Sequence, residues 1–600
     1  MALVVAGVVT GSQTNAAANI MGTGNALAEK VASAAKIAKV AADAADGPGG
    51  HTQEDEQEPS PSEPPTEDTE TDYTGFHVMF VLVDDMGYND IGYQSTDVPY
   101  GTETLNHYAS KGVKLTNYYT QSSCTPARVA ILTGRYPSRV GMAYDGEGTF
   151  VVDSPYGIPL EYDLMGRYFS KGGYRTAFVG KWNVGHVEEN YLPHRRGFDS
   201  AIMYNSDAIH YYNHTASPSL GVTTTSGLES VSVYDMLSGV ADEPFKLDVD
   251  DVGTYTTTLF TDRAMAELEK TTTDDRSLFL YLAYQAVHVP HNTPPEDLFE
   301  QSDEWKLDNI VTHNRYHFTK TAVAMDRSIK RLMNHVENLG LENNLILAVA
   351  SDNGACPTDG GNNYPMRGGK FQSWEGGVHV PSFVWSGAMT SPVTGTSNDV
   401  LFHAIDWLPT LAMATGAVDS VESELPGIDG MDMHEAVFHG GVKPGTSERT
   451  EILLRMNKWE DSGSNMLDVL AFEDSYSALI RRDGDHLWKI LINEYKGDRI
   501  EPSHSSYNLS CFEAVGPAHA YLIDLNKDPL EETNLRDARP DVFANLTLRL
   551  REHFDTAEKS VWAYPEADLA YDAWATAEGG KGFVSPWHKP NADVATDDAH

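Results

Sequence analysis

Nearly continuous runs of apolar residues recur along the middle of the chain, and each run ends at polar or charged residues. The first run covers residues 76–83 and is followed by Asp84-Asp85-Met-Gly. Apolar side chains at successive positions are typical of a strand that is buried on both faces of a parallel sheet. Later runs of this kind cover residues 174–180, 277–284 and 345–351. The pattern therefore predicts several strands of one sheet.

Two segments between these runs carry apolar residues three and four positions apart, the spacing of an amphipathic helix. They cover residues 258–270 and 320–339, and Gly340 directly follows the second segment as a stop signal. Strands that alternate with helices favour an α/β domain with a large, mixed but mostly parallel sheet flanked by helices. We predict this domain over residues 76–445.

The pattern changes after about residue 446, where shorter alternating segments replace the long apolar runs. The segments, with a helical pattern at the end, cover residues 476–481, 487–492, 520–524 and 541–554. Short strands followed by a helix are typical of an α+β arrangement. We therefore predict a smaller C-terminal α+β domain, with a tail, over residues 446–600.

The N-terminal part of the chain has a different composition. Residues 47–72 consist almost throughout of Pro, Gly, Ser, Thr, Glu and Asp, a composition that buries too little apolar surface to fold. We predict a disordered acidic segment over residues 1–75. An apolar run at residues 2–9 resembles part of a secretory signal, but no Lys or Arg precedes it, so the signal is weak or incomplete.

The chain is strongly acidic. It holds 43 Lys and Arg against 87 Asp and Glu in 600 residues, a formal net charge of −44. Such a surface repels phosphate backbones and no basic cluster offsets it, so we predict no nucleic-acid partner. No stretch approaches about 20 consecutive apolar residues, the length that a spanning helix needs, so we also predict no membrane span.

Cysteines and glycosylation triplets bear on the compartment of the protein. The cysteines are Cys124, Cys356 and Cys511. Three residues are too few for disulfides to be the main source of stability. Asn-x-Ser/Thr triplets begin at Asn213, Asn508 and Asn545. They suit a secreted glycoprotein, although such triplets also arise by chance.

The polar residues after two of the predicted strands are hard oxygen ligands. Asp84 and Asp85 follow the first strand, and Asp352 and Asn353 follow the run that ends at Ser351. Open α/β sheets place their ligand crevice at the carboxyl ends of the strands. Three neighbouring carboxylates repel one another unless a cation lies between them. Because hard oxygen ligands suit Ca²⁺ or Mg²⁺ better than zinc, the set indicates one of these two ions. The alternative is that these residues only begin loops.

The segment at residues 122–135 is the most specific in the chain. Within it, Cys124-Thr-Pro-Ala-Arg128 is followed by Leu132-Thr-Gly-Arg135, a pattern that resembles the signature of type I sulfatases. The resemblance covers roughly residues 76–560 and implies an alkaline phosphatase-like fold. Further blocks that are similar to the family, in the family's order, begin at Asp84, Gly180, Arg195, Ala286, Ser351, Arg367 and Tyr521.

The resemblance implies a role for each candidate site residue. Cys124 is converted to formylglycine, whose hydrated gem-diol attacks sulfur and forms a covalent sulfoenzyme. Arg128 holds the diol. Lys181 and Lys370 bind sulfate oxygens and His288 protonates the leaving alcohol. The implied ligands of one Ca²⁺ per chain, with Mg²⁺ as the alternative ion, are Asp84, Asp85, Cys124, Asp352 and Asn353.

One position departs from the family pattern. After Gly-Lys-Trp the family has a histidine that removes the diol proton, and this chain has Asn183. Asparagine cannot take a proton at neutral pH. Either sulfate release is slowed, or another base, such as His186, removes the diol proton instead. We otherwise expect His186 and His291 to be surface residues.

The resemblance implies a sulfatase that hydrolyses sulfate esters of a sulfated carbohydrate. The run that begins at Asn362 is most similar to the arylsulfatase B group, which acts on N-acetylgalactosamine 4-sulfate. The alternatives are a phosphonate or phosphate-ester hydrolase of the same superfamily, and a non-catalytic protein that binds sulfated glycans.

The implied partners are the sulfated carbohydrate and, during maturation, a formylglycine-generating enzyme. The implied location is secreted or lumenal. In such an oxidising compartment Cys356 and Cys511 would pair across the two predicted domains, but two buried free thiols explain the sequence as well.

Overall fold

The computed structural model describes most of the chain from Thr71 onward. The described residues are 71–143, 150–217, 222–224, 227–229, 232–308, 310–440, 449–456, 476–502, 519–561, 563, 566, 568–570 and 584–588. The predicted disordered segment up to residue 70 and most of the predicted tail lie outside them. Tyr73 is buried and its ring lies 4.9 Å from that of Phe438, so the packed chain reaches back to Tyr73.

Each strand and helix that the apolar patterns predict is present, with the largest difference at the long helix, which begins at His313 rather than at residue 320, and further short strands and helices lie between them. In chain order the strands are β1 His77–Val83, β2 Val113–Leu115, β3 Tyr118–Tyr119, β4 Arg175–Lys181, β5 Ser200–Tyr204, β6 Thr215–Ala216, β7 Val222–Thr224, β8 Gly227–Glu229, β9 Val233–Tyr234, β10 Leu237–Val240, β11 Lys246–Leu247, β12 Leu278–Ala283, β13 Leu345–Ser351, β14 Ser382–Trp385, β15 Thr396–Asn398, β16 Phe402–His403, β17 Glu451–Met456, β18 Ser477–Asp483, β19 His486–Glu494 and β20 His519–Asp524. The α-helices are α1 Glu103–Lys111, α2 Cys124–Thr133, α3 Met165–Lys171, α4 Thr256–Glu269, α5 His313–Asn338, α6 Glu375–Val378, α7 Trp407–Ala414, α8 Val421–Glu424, α9 His434–His439 and α10 Pro540–Asp555.

Most of the long strands join one mixed sheet. Its order among the described strands is β11-β10-β5-β4-β12-β1-β13-β14-β2-β15. The central strands β5, β4, β12, β1 and β13 run parallel, whereas β10, β11 and β14 pair antiparallel with their neighbours. The prediction of a large, mostly parallel sheet flanked by helices is confirmed.

The central strands are apolar at successive positions because both faces of the sheet are covered. Every residue of β1, β4, β12 and β13 is buried. In β1, alternate side chains enter two separate cores, with Val78, Phe80 and Leu82 on one face and Met79, Val81 and Val83 on the other. The period of two along a strand therefore distributes one apolar run between two layers of helices.

A second, antiparallel sheet follows in the order β17-β18-β19-β20. One of its faces packs against Trp374 and Val378 of the large domain. On the other face, Leu546 and Leu550 of α10 complete the packing. A small C-terminal sheet with a helix is therefore present, and the boundary between residues 445 and 446 stays a prediction.

Glu451 at the start of β17 ties this sheet to α10 and gives it a measurable pH dependence. Its carboxylate lies 2.8 Å from His553 Nε2 and 2.8 Å from Arg549 Nη2. Burial opposes its ionisation, but the hydrogen bonds from His553 and Arg549 outweigh burial and lower the pKa of Glu451 from 4.5 to about 2. A carboxyl group whose pKa is lowered by folding stabilises the fold at pH values above its ordinary pKa. That stabilisation is lost as the pH falls toward the pKa of the group in the folded state.

We expect Glu451→Gln to lower the free energy of unfolding by about 2 kcal/mol at neutral pH. The difference from wild type should shrink as the pH falls from 4.5 toward about 2, and urea unfolding at a series of pH values measures it. Glu532→Gln, which removes a carboxylate that is 62% exposed, is the control and should change little. A Glu451→Gln deficit that does not vary with pH would contradict the assignment.

Candidate active site

The candidate residues meet at one edge of the large sheet. Asp84 and Asp85 follow β1, Lys181 ends β4, His288 follows β12 and Asp352 follows β13. Because these four strands run parallel, their carboxyl ends lie together. Residues that are distant in sequence thus converge on one place.

Cys124 is the first residue of α2 and is completely buried. Its Sγ lies 3.4 Å from Asp84 Oδ1 and 3.8 Å from Asp85 Oδ1. Burial raises the pKa of the Cys124 thiol, and the nearby Lys181 and Lys370 only partly oppose this. Since the thiolate is the reactive form of cysteine, the unmodified residue is a poor nucleophile here.

Arg128 lies one turn further along α2 and is also buried. Its Nη2 lies 2.8 Å from Asp352 Oδ2 and 3.5 Å from Asp84 Oδ1. Its Nη1 donates a hydrogen bond of 2.9 Å to the carbonyl oxygen of Lys181. The guanidinium therefore offsets two carboxylates and connects β4 to α2.

Asp85 is held by the loop that carries Asp352 and Asn353. Its backbone N–H donates to Asp352 Oδ1 at 3.1 Å, and Asn353 Nδ2 donates to Asp85 Oδ1 at 2.7 Å. The φ of Asp85 is +65°, a left-handed conformation that bulky residues rarely adopt but Asp tolerates. The turn lets the adjacent Asp84 and Asp85 point into the same site.

The donor set fits a divalent cation. Ligand atoms of Asp84, Asp85, Cys124 and His288 all lie within 4.8 Å of one another. Asn353 Oδ1 is buried and has no hydrogen-bond partner among the described residues, an arrangement that a cation would satisfy. Burial and then the Asp84 carboxylate raise the pKa of Asp352 to about 6, because crowded carboxylates disfavour one another's ionisation. Mainly oxygen donors favour Ca²⁺ or Mg²⁺.

Two buried lysines flank these carboxylates. Lys181 Nζ lies 2.7 Å from Asp84 Oδ2, and Lys370 Nζ lies 2.8 Å from Asp85 Oδ2. Burial disfavours both ammonium groups, but the neighbouring aspartates outweigh it, so the pKa of each lysine is raised. Both groups stay charged and can bind an anion.

His288 faces Lys370. Its Nε2 lies 3.1 Å from Lys370 Nζ, and its Nδ1 lies 2.7 Å from the carbonyl oxygen of Val289. A carbonyl only accepts hydrogen bonds, so Nδ1 carries the proton and Nε2 accepts from the lysine. Burial and then Lys370 lower the pKa of His288 to about 4. The imidazole is therefore neutral at pH 7 and must gain a proton before it can act as an acid.

Asn183 lies directly beside the start of α2. Thr125, the residue after Cys124, donates its hydroxyl to Asn183 Oδ1 at 2.8 Å. Asn183 Nδ2 donates to the carbonyl oxygen of Phe150 at 2.9 Å, and its φ is +57°. Both polar atoms of the amide are thus engaged in the position where the family has a histidine.

The expectation that His186 and His291 are surface residues is wrong for His186. His186 is fully buried, its Nε2 lies 2.6 Å from the carbonyl oxygen of Val152, and its ring contacts those of Phe150 and Trp587. Burial lowers the pKa of His186 to about 4, so it is a weak base. Edge-to-face contacts with these two rings bury His186, and sequence spacing does not reveal such contacts.

His291 is only partly exposed and its Nε2 lies 2.7 Å from the carbonyl oxygen of Asp359. Cys356, on the same turn as Asp359, is disulfide-bonded, whereas Cys124 is free. The other cysteine of the predicted pair, Cys511, lies outside the described residues, so the pairing itself stays a prediction.

The loop that carries Lys370 is held by the C-terminal sheet. Trp374 Nε1 donates to the carbonyl oxygen of Tyr495 at 2.8 Å. At the end of the loop, Lys489 Nζ lies 2.8 Å from Glu375 Oε1 and 2.8 Å from Glu531 Oε1, and all three side chains are buried. Sequence reasoning missed Lys489 and Glu531. A lysine in a predicted strand is expected at the surface, and only the packing of the strand shows that its side chain points inward.

The comparisons with known proteins agree with this geometry. The Sulfatase family profile matches residues 77–417. Arylsulfatase J of Mus musculus is 30% identical over 522 residues, 86% of this chain and 80% of that protein. Arylsulfatase A of Homo sapiens is 28% identical over 476 residues, 76% of this chain and 83% of that protein.

Among solved structures, Ps i-CgsB in complex with k-i-k-neocarrahexaose has a similar fold. Its TM-score is 0.61 at 22% identity, over 82% of this chain and 95% of that chain. The arylsulfatase B group is not singled out by any of these similarities.

We expect Lys489→Met to destabilise the protein by about 3 to 5 kcal/mol, because it removes the ammonium group that lies 2.8 Å from both buried carboxyl groups, Glu375 and Glu531. Adding Glu531→Gln should recover only a small part of that loss, because burial already raises the pKa of Glu531 to about 7 and its carboxyl group becomes neutral once the lysine is absent. Urea unfolding measures both effects.

Arg481→Met is the matched control for this prediction. Arg481 lies on the adjacent strand β18 and is 44% exposed, so its loss should cost about 1 kcal/mol or less. If Lys489→Met costs no more than Arg481→Met, the buried lysine does not hold the Lys370 loop.

Proposed function

The chain belongs to the sulfatase family and is a sulfuric ester hydrolase, and from this premise we propose that it desulfates a carbohydrate with a formylglycine made from Cys124. The observation that carries the proposal is the meeting of a buried Cys124 at the start of a helix with two charged lysines. The lysines supply an anion site, and the cysteine is aimed at it.

We propose that Asp84, Asp85, Asp352, Asn353 and position 124 hold one Ca²⁺, with Mg²⁺ as the alternative. When bound, the cation lowers the pKa of the attacking hydroxyl and draws charge from a sulfate oxygen. Asn353 Oδ1, which has no hydrogen-bond partner among the described residues, supports this ligand set. Asp85 is oriented for it by the hydrogen bonds from Asn353 and to Asp352.

Position 124 supplies the nucleophile in this proposal. As a hydrated aldehyde it offers one hydroxyl that attacks sulfur to form a sulfate ester, and a second whose deprotonation expels sulfate and restores the aldehyde. Arg128, one helical turn away, holds this group and offsets the charge of the carboxylates. The raised pKa of the thiol supports modification, because an unmodified thiol would rarely be ionised.

Lys181 and Lys370 bind and orient the sulfate group. Their ammonium groups are paired with different aspartates, Asp84 and Asp85, so both can contribute positive charge to a sulfate bound at the site. Fixed positive charges in a buried site stabilise the charge that develops on the transferred group. Because these ammonium groups are already in place, they need not rearrange during the reaction.

His288 donates a proton to the leaving alcohol. Its Nε2 points at Lys370 and Asp85, at 3.1 Å and 3.5 Å. A bound sulfate ester brings negative charge close to the ring and raises its pKa, because an opposite charge favours the imidazolium. The hydrogen bonds to Val289 and from Tyr211 fix the orientation of this residue.

We infer a sulfated carbohydrate substrate, such as N-acetylgalactosamine 4-sulfate, and maturation by a formylglycine-generating enzyme. The oligosaccharide bound to Ps i-CgsB supports a carbohydrate in this fold. A secreted or lumenal location is supported by the disulfide at Cys356 and by the exposed acceptor residues Asn213 and Asn545. Asn508 lies outside the described residues, and no described helix is long and apolar enough to cross a membrane.

The test of the reaction compares 4-nitrophenyl sulfate with 4-nitrophenyl phosphate, using protein produced together with a formylglycine-generating enzyme. We expect sulfate hydrolysis to exceed phosphate hydrolysis and to fall by at least about a hundredfold in Cys124→Ala, which lacks the nucleophile. Peptide mass spectrometry across residues 122–135 should show sulfur and two hydrogens replaced by one oxygen. Preferred phosphate hydrolysis would favour the phosphonate or phosphate-ester hydrolase, and an unmodified thiol would remove the proposed nucleophile.

Asn183 favours a second reading, a site that binds sulfated glycans and turns over slowly or not at all. The amide cannot accept the diol proton, and its Oδ1 is occupied by Thr125. His186 is unsuited as a replacement because it is buried against Val152 and is a weak base. The structure therefore favours slowed sulfate release over a substitute base.

We expect the wild type to show a burst of 4-nitrophenol followed by slow turnover. Asn183→His should raise the steady-state rate by about a hundredfold, the usual size of a general-base contribution, and abolish the burst. Asn183→Gln keeps the amide and is the matched control, which should show no gain. A wild type without a burst, together with an Asn183→His rate that does not rise, would show that release is not limiting.

A further inference from the structure

A short turn after the candidate metal ligands lies against both sides of the site. Lys370 donates its backbone N–H to the carbonyl oxygen of Ala355 at 3.1 Å. On the other side, Gly87 packs so closely that a Cβ there would lie 2.8 Å from the Cβ of Ala355 and 2.3 Å from Asn363 Oδ1. The segment 355–363 therefore contacts the loop that carries Asp85 as well as the loop that carries Lys370.

The middle of this turn is held in place. Pro357–Asp359 forms a single 3-10 turn, and Asn314 Nδ2 donates to the carbonyl oxygen of Thr358 at 2.7 Å. Arg315 Nη1 donates to the carbonyl oxygen of Gly360 at 3.2 Å. The disulfide at Cys356 adds a covalent restraint. Asp359 is thus presented by a fixed backbone rather than by a free loop.

The backbone of Asp359 also contacts the segment that carries His288. His291, whose Nε2 lies 2.7 Å from the Asp359 carbonyl oxygen, comes three residues after His288 on the same segment. Burial and the charge of Asp85 raise the pKa of Asp359 to about 6, and Lys370 opposes them. These interactions agree with a carboxylate at the rim of the anion site.

The Asp359 carboxylate differs from the other acids of the site. It is partly exposed, and within the described part of the chain it receives no hydrogen bond and no ion pair. The carboxylates of Asp85 and Asp352, by contrast, contact Lys370 and Arg128. A rigid, unpaired acceptor beside a sulfate site is available to a substrate.

We propose that Asp359 is a specificity-determining residue: its carboxylate accepts a hydrogen bond from a hydroxyl or amide N–H of the sugar that bears the sulfate, and repels a second anionic group on that sugar. This inference rests on the proposed sulfatase reaction. Hydrogen bonds to a charged acceptor are stronger than neutral ones, and like charges brought together at a binding site are disfavoured. The preferred substrate is accordingly monosulfated.

The experiment measures how well two sugars compete with 4-nitrophenyl sulfate hydrolysed by the full-length, formylglycine-containing enzyme. The sugars are N-acetylgalactosamine 4-sulfate and N-acetylgalactosamine 4,6-disulfate. For the wild type we expect the monosulfate to have the lower inhibition constant. In Asp359→Asn the ratio of the two constants should shift toward the disulfate by about tenfold, because the amide binds a hydroxyl less strongly and no longer repels sulfate.

Two variants keep this result interpretable. Glu296→Gln removes the same charge from an exposed position on the segment that carries His288, and its ratio should match the wild type. Asp359→Glu retains the charge and should keep the preference for the monosulfate. A ratio in Asp359→Asn within about twofold of wild type, or a wild type with which neither sugar competes, overturns the inference. Loss of all 4-nitrophenyl sulfate hydrolysis in the wild type would instead overturn the proposed function.

Discussion

Three aspartates lie together in the buried cluster at the edge of the large sheet, and the need to balance their charge governs the architecture around them. A buried, unpaired carboxylate is so costly that it is neutralised or paired in practice. Here the balancing cations come from separate parts of the chain: Arg128 from α2, Lys181 from the end of β4, and Lys370 from the loop before α6. Helix α2, the parallel sheet and the loop before α6 thereby meet at one point.

The same charges account for the proposed chemistry. Three aspartates and three cations give a cluster that is close to neutral. A divalent cation held by the carboxylates would take over part of their charge and leave the lysine ammoniums free for a sulfate group. Binding of the cation and binding of the sulfate would then favour each other. The cation offsets the carboxylate charge that repels a sulfate, and the sulfate offsets the lysine charge that repels a cation. Asn353 Oδ1 has no hydrogen-bond partner among the described residues, and in the proposals above it serves the cation whereas the Asp359 carboxylate serves the substrate.

Support for the site extends to the small sheet. Lys370 belongs to a loop whose end is secured by the buried Lys489 between Glu375 and Glu531. A group that must hold its place within a fraction of an ångström needs neighbours that are themselves fixed. The C-terminal sheet therefore supports the loop that carries Lys370.

Sequence alone determined the parallel strands, the places where they end and the polar residues that follow them, because a strand covered on both faces must be apolar at every position and parallel strands end together. Asp84, Asp352 and Cys124 were identified on that basis, together with the family pattern. The tertiary structure alone decided which charges meet: the burial of His186, the inward position of Lys489 and the unpaired state of Asp359 depend on contacts between segments far apart in the chain. The periodicity of apolar residues shows which face of a segment is buried, but not which other segment it packs against. Contacts between distant side chains are therefore decided only when the helices and sheets pack together.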